Sequence, residues 1–201
     1  MSTQSLRKDH KLIEKVLQAL DATIKLLKDG KQIPEEILSP TLDFTQNFTD
    51  VCHHGKEEEA LFPALEKAGM PTTMGPIHMM LLDHKRTKEI AEHISLASKK
   101  YLEIGDSAYL IETLELYVQH VTEHLWKENN RLFMMADARL NDATNEIDKN
   151  MDDIEERKLS ELGKTRSHYE SLVDELEKNV SEINWKIQQP YRFLRLNLME
   201  D

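Results

Sequence analysis

The segment His53-His54-Gly55-Lys56-Glu57-Glu58-Glu59-Ala60-Leu61-Phe62 is echoed about seventy residues later by His124-Leu125-Trp126-Lys127-Glu128-Asn129-Asn130-Arg131-Leu132-Phe133. Both read His-x-x-Lys-Glu-x-x-x-Leu-Phe, with the five shared residues at the same offsets. Residues four apart on a helix lie one above the other, with Cβ atoms roughly 5–6 Å apart. Each copy therefore points an imidazole and a carboxylate at one spot, while Leu and Phe continue a buried stripe. One such pair carries little information. Two copies in the same apolar frame point to a paired metal site inside a helical bundle.

The helices that must hold these residues are legible in the apolar spacing. Leu6, Ile13, Val16, Leu17, Leu20, Ile24 and Leu27 recur at helical intervals, with Gly30 as a stop. Ser39-Pro40 reads as the start of a second helix that enters the first motif, and Pro63 predicts a kink or an early end. Gly69-Met70-Pro71 is a turn, and a third helix begins near Pro76. Gly105-Asp106-Ser107 separates it from a fourth helix carrying Leu110, Leu114, Tyr117, Val121 and His124. Four helices with short links predict an all-α, up-down-up-down four-helix bundle over residues 1–140.

Residues 141–201 read as a C-terminal accessory helical extension. Its first half is a solvated charged face, possessing no Gly or Pro until Gly163. Tyr169, Leu172, Leu176, Val180, Ile183 and Ile187 then form an amphipathic stripe, ended by Gln189-Pro190 and followed by a short apolar-basic tail. That stripe needs a surface to cover, and homo-oligomer formation or signal output is the expected use.

Composition narrows the function classes. The chain is 39% hydrophobic and 31% charged with a net charge of −11, which disfavours nucleic acid and anionic membranes as partners. No apolar run approaches the roughly 20 residues of a membrane span, and the first ten residues lack the apolar core of a secretion signal. A lone Cys52 excludes an internal disulfide and fits a reducing cytoplasm, the expected location. Ferritin-type Glu-x-x-His and zinc-protease His-Glu-x-x-His are both absent, and Cys52 falls on an apolar stripe where a thiol is inert.

Every bundle helix carries a donor. His10 lies among Leu6, Ile13 and Val16, and His84 among Met80, Leu81 and Thr87, completing a set with His53, Glu57, His124 and Glu128. The chain here resembles the hemerythrin-like, His-His-Glu cation-binding domains. The matching elements are Asp9-His10, His53-x-x-Lys56-Glu57-x-x-x-Leu61-Phe62-Pro63, Gly75-Pro76 followed by Asp83-His84-x-Arg86, and His124-x-x-Lys127-Glu128 with Leu132-Phe133. The resemblance covers roughly residues 5–138. It implies an oxo- or hydroxo-bridged pair of iron ions in a four-helix bundle, with Glu57 and Glu128 as bridging carboxylates.

The chain departs from the oxygen carriers of that family in the third helix. They supply a His-x-x-x-His pair there, whereas Met80 and Lys88 stand four residues either side of His84. His120, one turn before His124, restores the number of imidazoles and joins the expected metal set. His54, about 100° round the helix from His53, is expected to hydrogen-bond or face the bundle seam, although some relatives ligate metal at that place.

Two six-coordinate ions offer about twelve positions. Five imidazoles, two bridging carboxylates and one bridging oxygen fill about eleven, which leaves room for one small ligand. Phe48, Leu61, Phe62, Met80, Leu81, Trp126 and Phe133 are the candidate apolar shell. The expected function is a non-haem di-iron protein that binds or senses O2 or a related small molecule, rather than an enzyme. The alternatives are an iron-handling or NO/peroxide stress-response protein, and an interaction module that metal merely stabilises.

Overall fold

The computed structural model describes residues 3–196, with side chains described as far as Ile183 apart from Asp142. Among the described residues it is helical throughout, with no strand. Helix α1 runs Gln4–Lys28. Helix α2 is a composite over residues 35–67 that alternates α-helical and π-helical winding. Helix α3 spans Pro76–Ile104, α4 spans residues 107–139, α5 spans Thr144–Glu161 and α6 spans Arg166–Leu196.

The breaks follow the local chemistry. After α1 the chain turns at Gly30, whose φ of 70° is a left-handed conformation that costs a Cβ-bearing residue energy. Gly105 ends α3 in the same way, and the Asp106 carboxylate then accepts a hydrogen bond from the Tyr109 backbone N–H to cap α4. Helix α2 starts at Glu35, earlier than Ser39-Pro40 predicts, and Pro40 lies inside it. Pro63 does not end α2. It sits at the start of the α-helical stretch Phe62–Lys67, immediately after the π-helical segment Glu57–Leu61. Proline is tolerated in the first turn of an α-helical stretch because the N–H it lacks has no α-helical partner there to lose.

The two motif copies share a backbone irregularity. Residues Glu57–Leu61 and Glu128–Leu132 are both π-helical, each opening on the motif's glutamate. Winding of this kind adds a residue to a turn and recurs at functional sites.

Helix α4 packs between α1 and α3, and α2 packs against α3. Two apolar clusters result. One gathers Ile13, Val16, Leu20, Phe44, Phe48, Ile90, Leu114 and Val121. The other gathers Leu6, Leu61, Phe62, Leu65, Met80, Leu132 and Phe133. Along each helix the His and Glu residues fall between these clusters, so a polar layer is sandwiched between two dry ones.

Residues beyond 140 contribute to both clusters. Ile147 and Met151 join the second, and Leu159, Tyr169, Leu172, Val173, Leu176 and Val180 join the first. The apolar stripe of α6 therefore lies against α1 and α2 of its own chain. Tyr169 packs against Phe44 and Phe48, and its hydroxyl donates to Asp43 Oδ1 at 3.2 Å. Helix α5 is likewise not a wholly solvated face, since Ile147, Met151 and Leu159 are buried. Helix α6 continues past Gln189-Pro190 to Leu196, so that pair does not end it. The side chain of Ile187 and the end of the tail lie outside the described residues. Among the described residues no helix is long and apolar enough to cross a membrane.

Candidate metal centre

Seven donor residues converge in the polar layer. His10, His53, His54, Glu57, His84, His124 and Glu128 are each at most 3% exposed. Their donor atoms form three groups whose members lie within 4.8 Å of one another: His10 with His53, Glu57 and Glu128; Glu57 with His84, His124 and Glu128; and His54 with His84 and His124. Glu57 and Glu128 belong to two groups each. His84 Nε2 is 3.1 Å from Glu57 Oε2 and 3.8 Å from Glu128 Oε1. His10 Nε2 is 3.2 Å from Glu128 Oε2, and His124 Nε2 is 3.3 Å from Glu128 Oε1.

These approaches are close, yet the atoms are not aligned as hydrogen bonds. Nε2 of all five histidines and both oxygens of Glu57 and Glu128 are buried without a hydrogen-bond partner. Leaving such groups unpaired in a core costs about 1–3 kcal/mol each. Lone pairs converging on shared points are what a cation requires, so the residues present fit a metal.

The opposite edge of each ring supports the same reading. His10 Nδ1 faces Asn129 Oδ1 at 3.0 Å, and His53 Nδ1 faces Asp9 Oδ2 at 3.2 Å. His54 Nδ1 faces Asp50 Oδ1 at 3.4 Å, and His84 Nδ1 faces Glu58 Oε1 at 2.7 Å. His124 Nδ1 lies 3.6 Å from Asp83 Oδ2, beyond hydrogen-bond distance, and is buried without a partner. At the other four rings an oxygen acceptor at Nδ1 holds the proton there and turns the Nε2 lone pair inward, as metal-ligating histidines require.

The internal repeat orders this outer layer too. Lys56 and Lys127, at the same place in the two motifs, pair with Asp9 and Asp83, at 2.5 and 2.7 Å. Those aspartates precede His10 and His84 in the chain. Glu58 and Asn129, each directly after the motif glutamate, hold the rings of His84 and His10. The motif phenylalanines cover the same two rings: Phe62 stacks on His84 at 5.6 Å and Phe133 on His10 at 5.0 Å. The centre is two copies of one half-site.

Charge is balanced locally. Burial pushes Glu128 toward its neutral form, but His124, His10 and His84 outweigh it and hold the carboxyl well below the usual range. Asp83 is likewise opposed by burial, yet His124 and Lys127 hold it at about 2. Burial drives His54 well below the ordinary 6.5, aided by His84 and His124, so it stays neutral with a free lone pair. Burial raises the Cys52 thiol to about 12, which keeps it protonated and inert.

His120 stands apart from the seven. Its Nε2 lies 3.0 Å from the Asp83 carbonyl oxygen, to which the ring N–H donates, and it is half-buried. His54 instead turns inward, stacking on His84 with ring centroids 3.8 Å apart. A sequence signal for His54 lies in the repeat, whose other copy has the apolar Leu125 at that place; both side chains are buried. Of the expected apolar shell, Phe48, Leu61, Phe62, Met80 and Phe133 are buried. Trp126 and Leu81 are exposed, at 54% and 37%, on the outer faces of α4 and α3. His93 is exposed and bonded to the Tyr109 hydroxyl, and His168 lies beside Asp43 and Lys164.

The hemerythrin HHE cation binding domain family matches residues 1–136. The chain belongs to this family. The match takes in all seven donors and stops short of α5 and α6. Similar relatives are an uncharacterized protein of Mycobacterium bovis and two of Mycobacterium tuberculosis. Each is 21% identical over 176 residues, a span that takes in 86% of this chain and 66% of the relative. The HHE chain described here thus spans about 66% of the length of those relatives. No solved structure matches it.

Proposed function

We propose that this HHE domain holds two iron ions and uses them to bind or sense O2 or a related small molecule. The observation that carries the reading is the sharing of Glu57 and Glu128 between two buried donor groups, with no hydrogen-bond partner for either carboxylate. One ion would rest on His10 and His53, the other on His54, His84 and His124, and both glutamates would serve the two together. The four helices α1 to α4, taken as an up-down-up-down bundle, supply one donor face each. His120 takes no part in this set, and His54 replaces it.

The number of donors differs between the two sides. Three imidazoles would hold iron on the His84 side and two on the His10 side, so a small ligand would find room on the His10 side. Bound iron would supply the electrons for capturing O2, which no side chain offers. The chain supplies the rest. Asp9, Asp50, Glu58, Asp83 and Asn129 orient the rings, and Phe62 and Phe133 shield them from water.

Metal analysis of purified protein, with ultraviolet–visible spectra recorded anaerobically and after exposure to air, tests this. Two irons per chain and a reversible spectral change on O2 addition are expected. Irreversible oxidation would move the reading to NO or peroxide chemistry, and protein that takes up no iron would sink it.

A further inference from the structure

Asp9 is fully buried and receives contacts from both halves of the chain. Its Oδ2 accepts from Lys56 Nζ at 2.5 Å and lies 3.2 Å from His53 Nδ1. Its Oδ1 accepts from Arg166 Nη1 at 2.9 Å. Arg166, the first residue of α6, also donates to both Glu155 oxygens, at 3.1 and 2.9 Å. Glu155, on α5, accepts from Lys56 Nζ at 2.6 Å. Two cations and two carboxylates thus close a neutral ring behind His53.

The other half-site has no such closure. Asp83 meets Lys127 and His124, and the Lys127 side chain is 34% exposed where Lys56 is 0% exposed. Among the described residues, none beyond 140 bonds to Asp83. Helices α5 and α6, which the family match does not include, therefore act on one side of a twofold-repeated centre. That side has fewer imidazoles.

We propose that Arg166 and Glu155 are positioning residues for the His53 side of the centre, holding Asp9 so that it accepts the His53 Nδ1–H and keeps Nε2 turned toward the cation. The extension is then part of the metal site. Its selectivity for one half follows from geometry, because only Asp9 lies within reach of the start of α6. The physical basis is that a carboxylate with both oxygens held by cations stays a fixed acceptor. A carboxylate held at one oxygen only can rotate and release the ring. The assignment of two sides with separate ions rests on the proposed function.

The test uses the full chain. In apo protein with 15N-labelled histidine, nuclear magnetic resonance reads the tautomer of His53 and His124 without any metal. Arg166→Met is expected to lower the Nδ1–H population of His53 and leave His124 as it was. Lys158→Met serves as the control, because Lys158 ties α5 to Glu59 of α2 at 2.6 Å without touching Asp9. It should change neither ring. Glu155→Gln, which keeps the side-chain shape, should perturb His53 in the same direction and stands in if Arg166→Met fails to fold. After loading with ferrous iron, chelator competition should show one ion of the two weakened by about ten- to a hundredfold. Equal change at His53 and His124, no change at either, or the same change in Lys158→Met overturns the proposal. A wild-type chain that takes fewer than two irons would instead defeat the proposed function, with the tautomer result still standing.

Discussion

His54 and Leu125 hold the same place in the two motif copies, each one residue after a centre histidine, and both are buried at 2–4% exposure. His54 brings a third imidazole to His84 and His124. By the repeat, Leu125 is its counterpart for His10 and His53, and it offers no lone pair. The difference in imidazole number between two like halves comes down to that pair.

Leu125→His should therefore fill the remaining position. The variant is expected to keep two irons and lose binding of an external anion such as azide, followed by the absorbance change on titration. His54→Leu should do the reverse and bind the anion at both sides. Undiminished azide binding by Leu125→His would place the open position elsewhere.

Glu57→Ala and Glu128→Ala should each lose both ions, because each carboxylate serves two donor groups. His120→Ala should leave metal content unchanged, since its ring donates to the Asp83 carbonyl. His54→Ala should weaken one ion. Metal-to-protein ratios after gel filtration decide among these, and metal loss in His120→Ala would restore that residue to the ligand set.

Iron should raise the melting temperature. At a free concentration a hundredfold above Kd each bound ion adds about 2.7 kcal/mol. For a chain of this size that corresponds to about 5–11 °C. The apo protein keeps its helices, which circular dichroism would show, because two dry clusters flank the centre.

That stabilisation should grow with pH. In the apo protein burial opposes the charged form of His84 and His10. Glu128 and Glu57, with Glu58 at His84, nevertheless raise both above the ordinary 6.5, His84 strongly. A group raised in the folded state contributes stability that is complete below 6.5 and is lost as pH climbs through its folded value. Apo stability should thus fall on the alkaline side of 6.5, where the protons that substitute for a cation leave. His54 has the opposite sign and costs stability only below 6.5. Metal binding near neutral pH should release protons, measurable in weakly buffered solution. A melting-temperature gap between holo and apo forms that shrinks from pH 7 to 9 would contradict this.

The amino-acid sequence by itself determined the repeat, and with it most of the centre. His10, His53, Glu57, His84, His124 and Glu128 could be assigned to inward faces because a helix returns to the same side every three to four residues. Glycines with positive φ marked the turns for the same local reason. The tertiary structure decided what depends on neighbours and on departures from regular winding. The π-helical segment Phe44–His53 runs straight into His53-His54 and changes the angle between successive side chains. A residue about 100° off the metal face in an ideal helix can then still reach His84. His120 has the right spacing, but one turn nearer the start of α4 it meets the Asp83 carbonyl. Charge counting could not foresee that an acidic extension would bury Asp9, because Glu155 and Arg166 lie 146 and 157 positions from it. Contacts of that separation are set by how α5 and α6 fold back on the bundle, and no local periodicity encodes them.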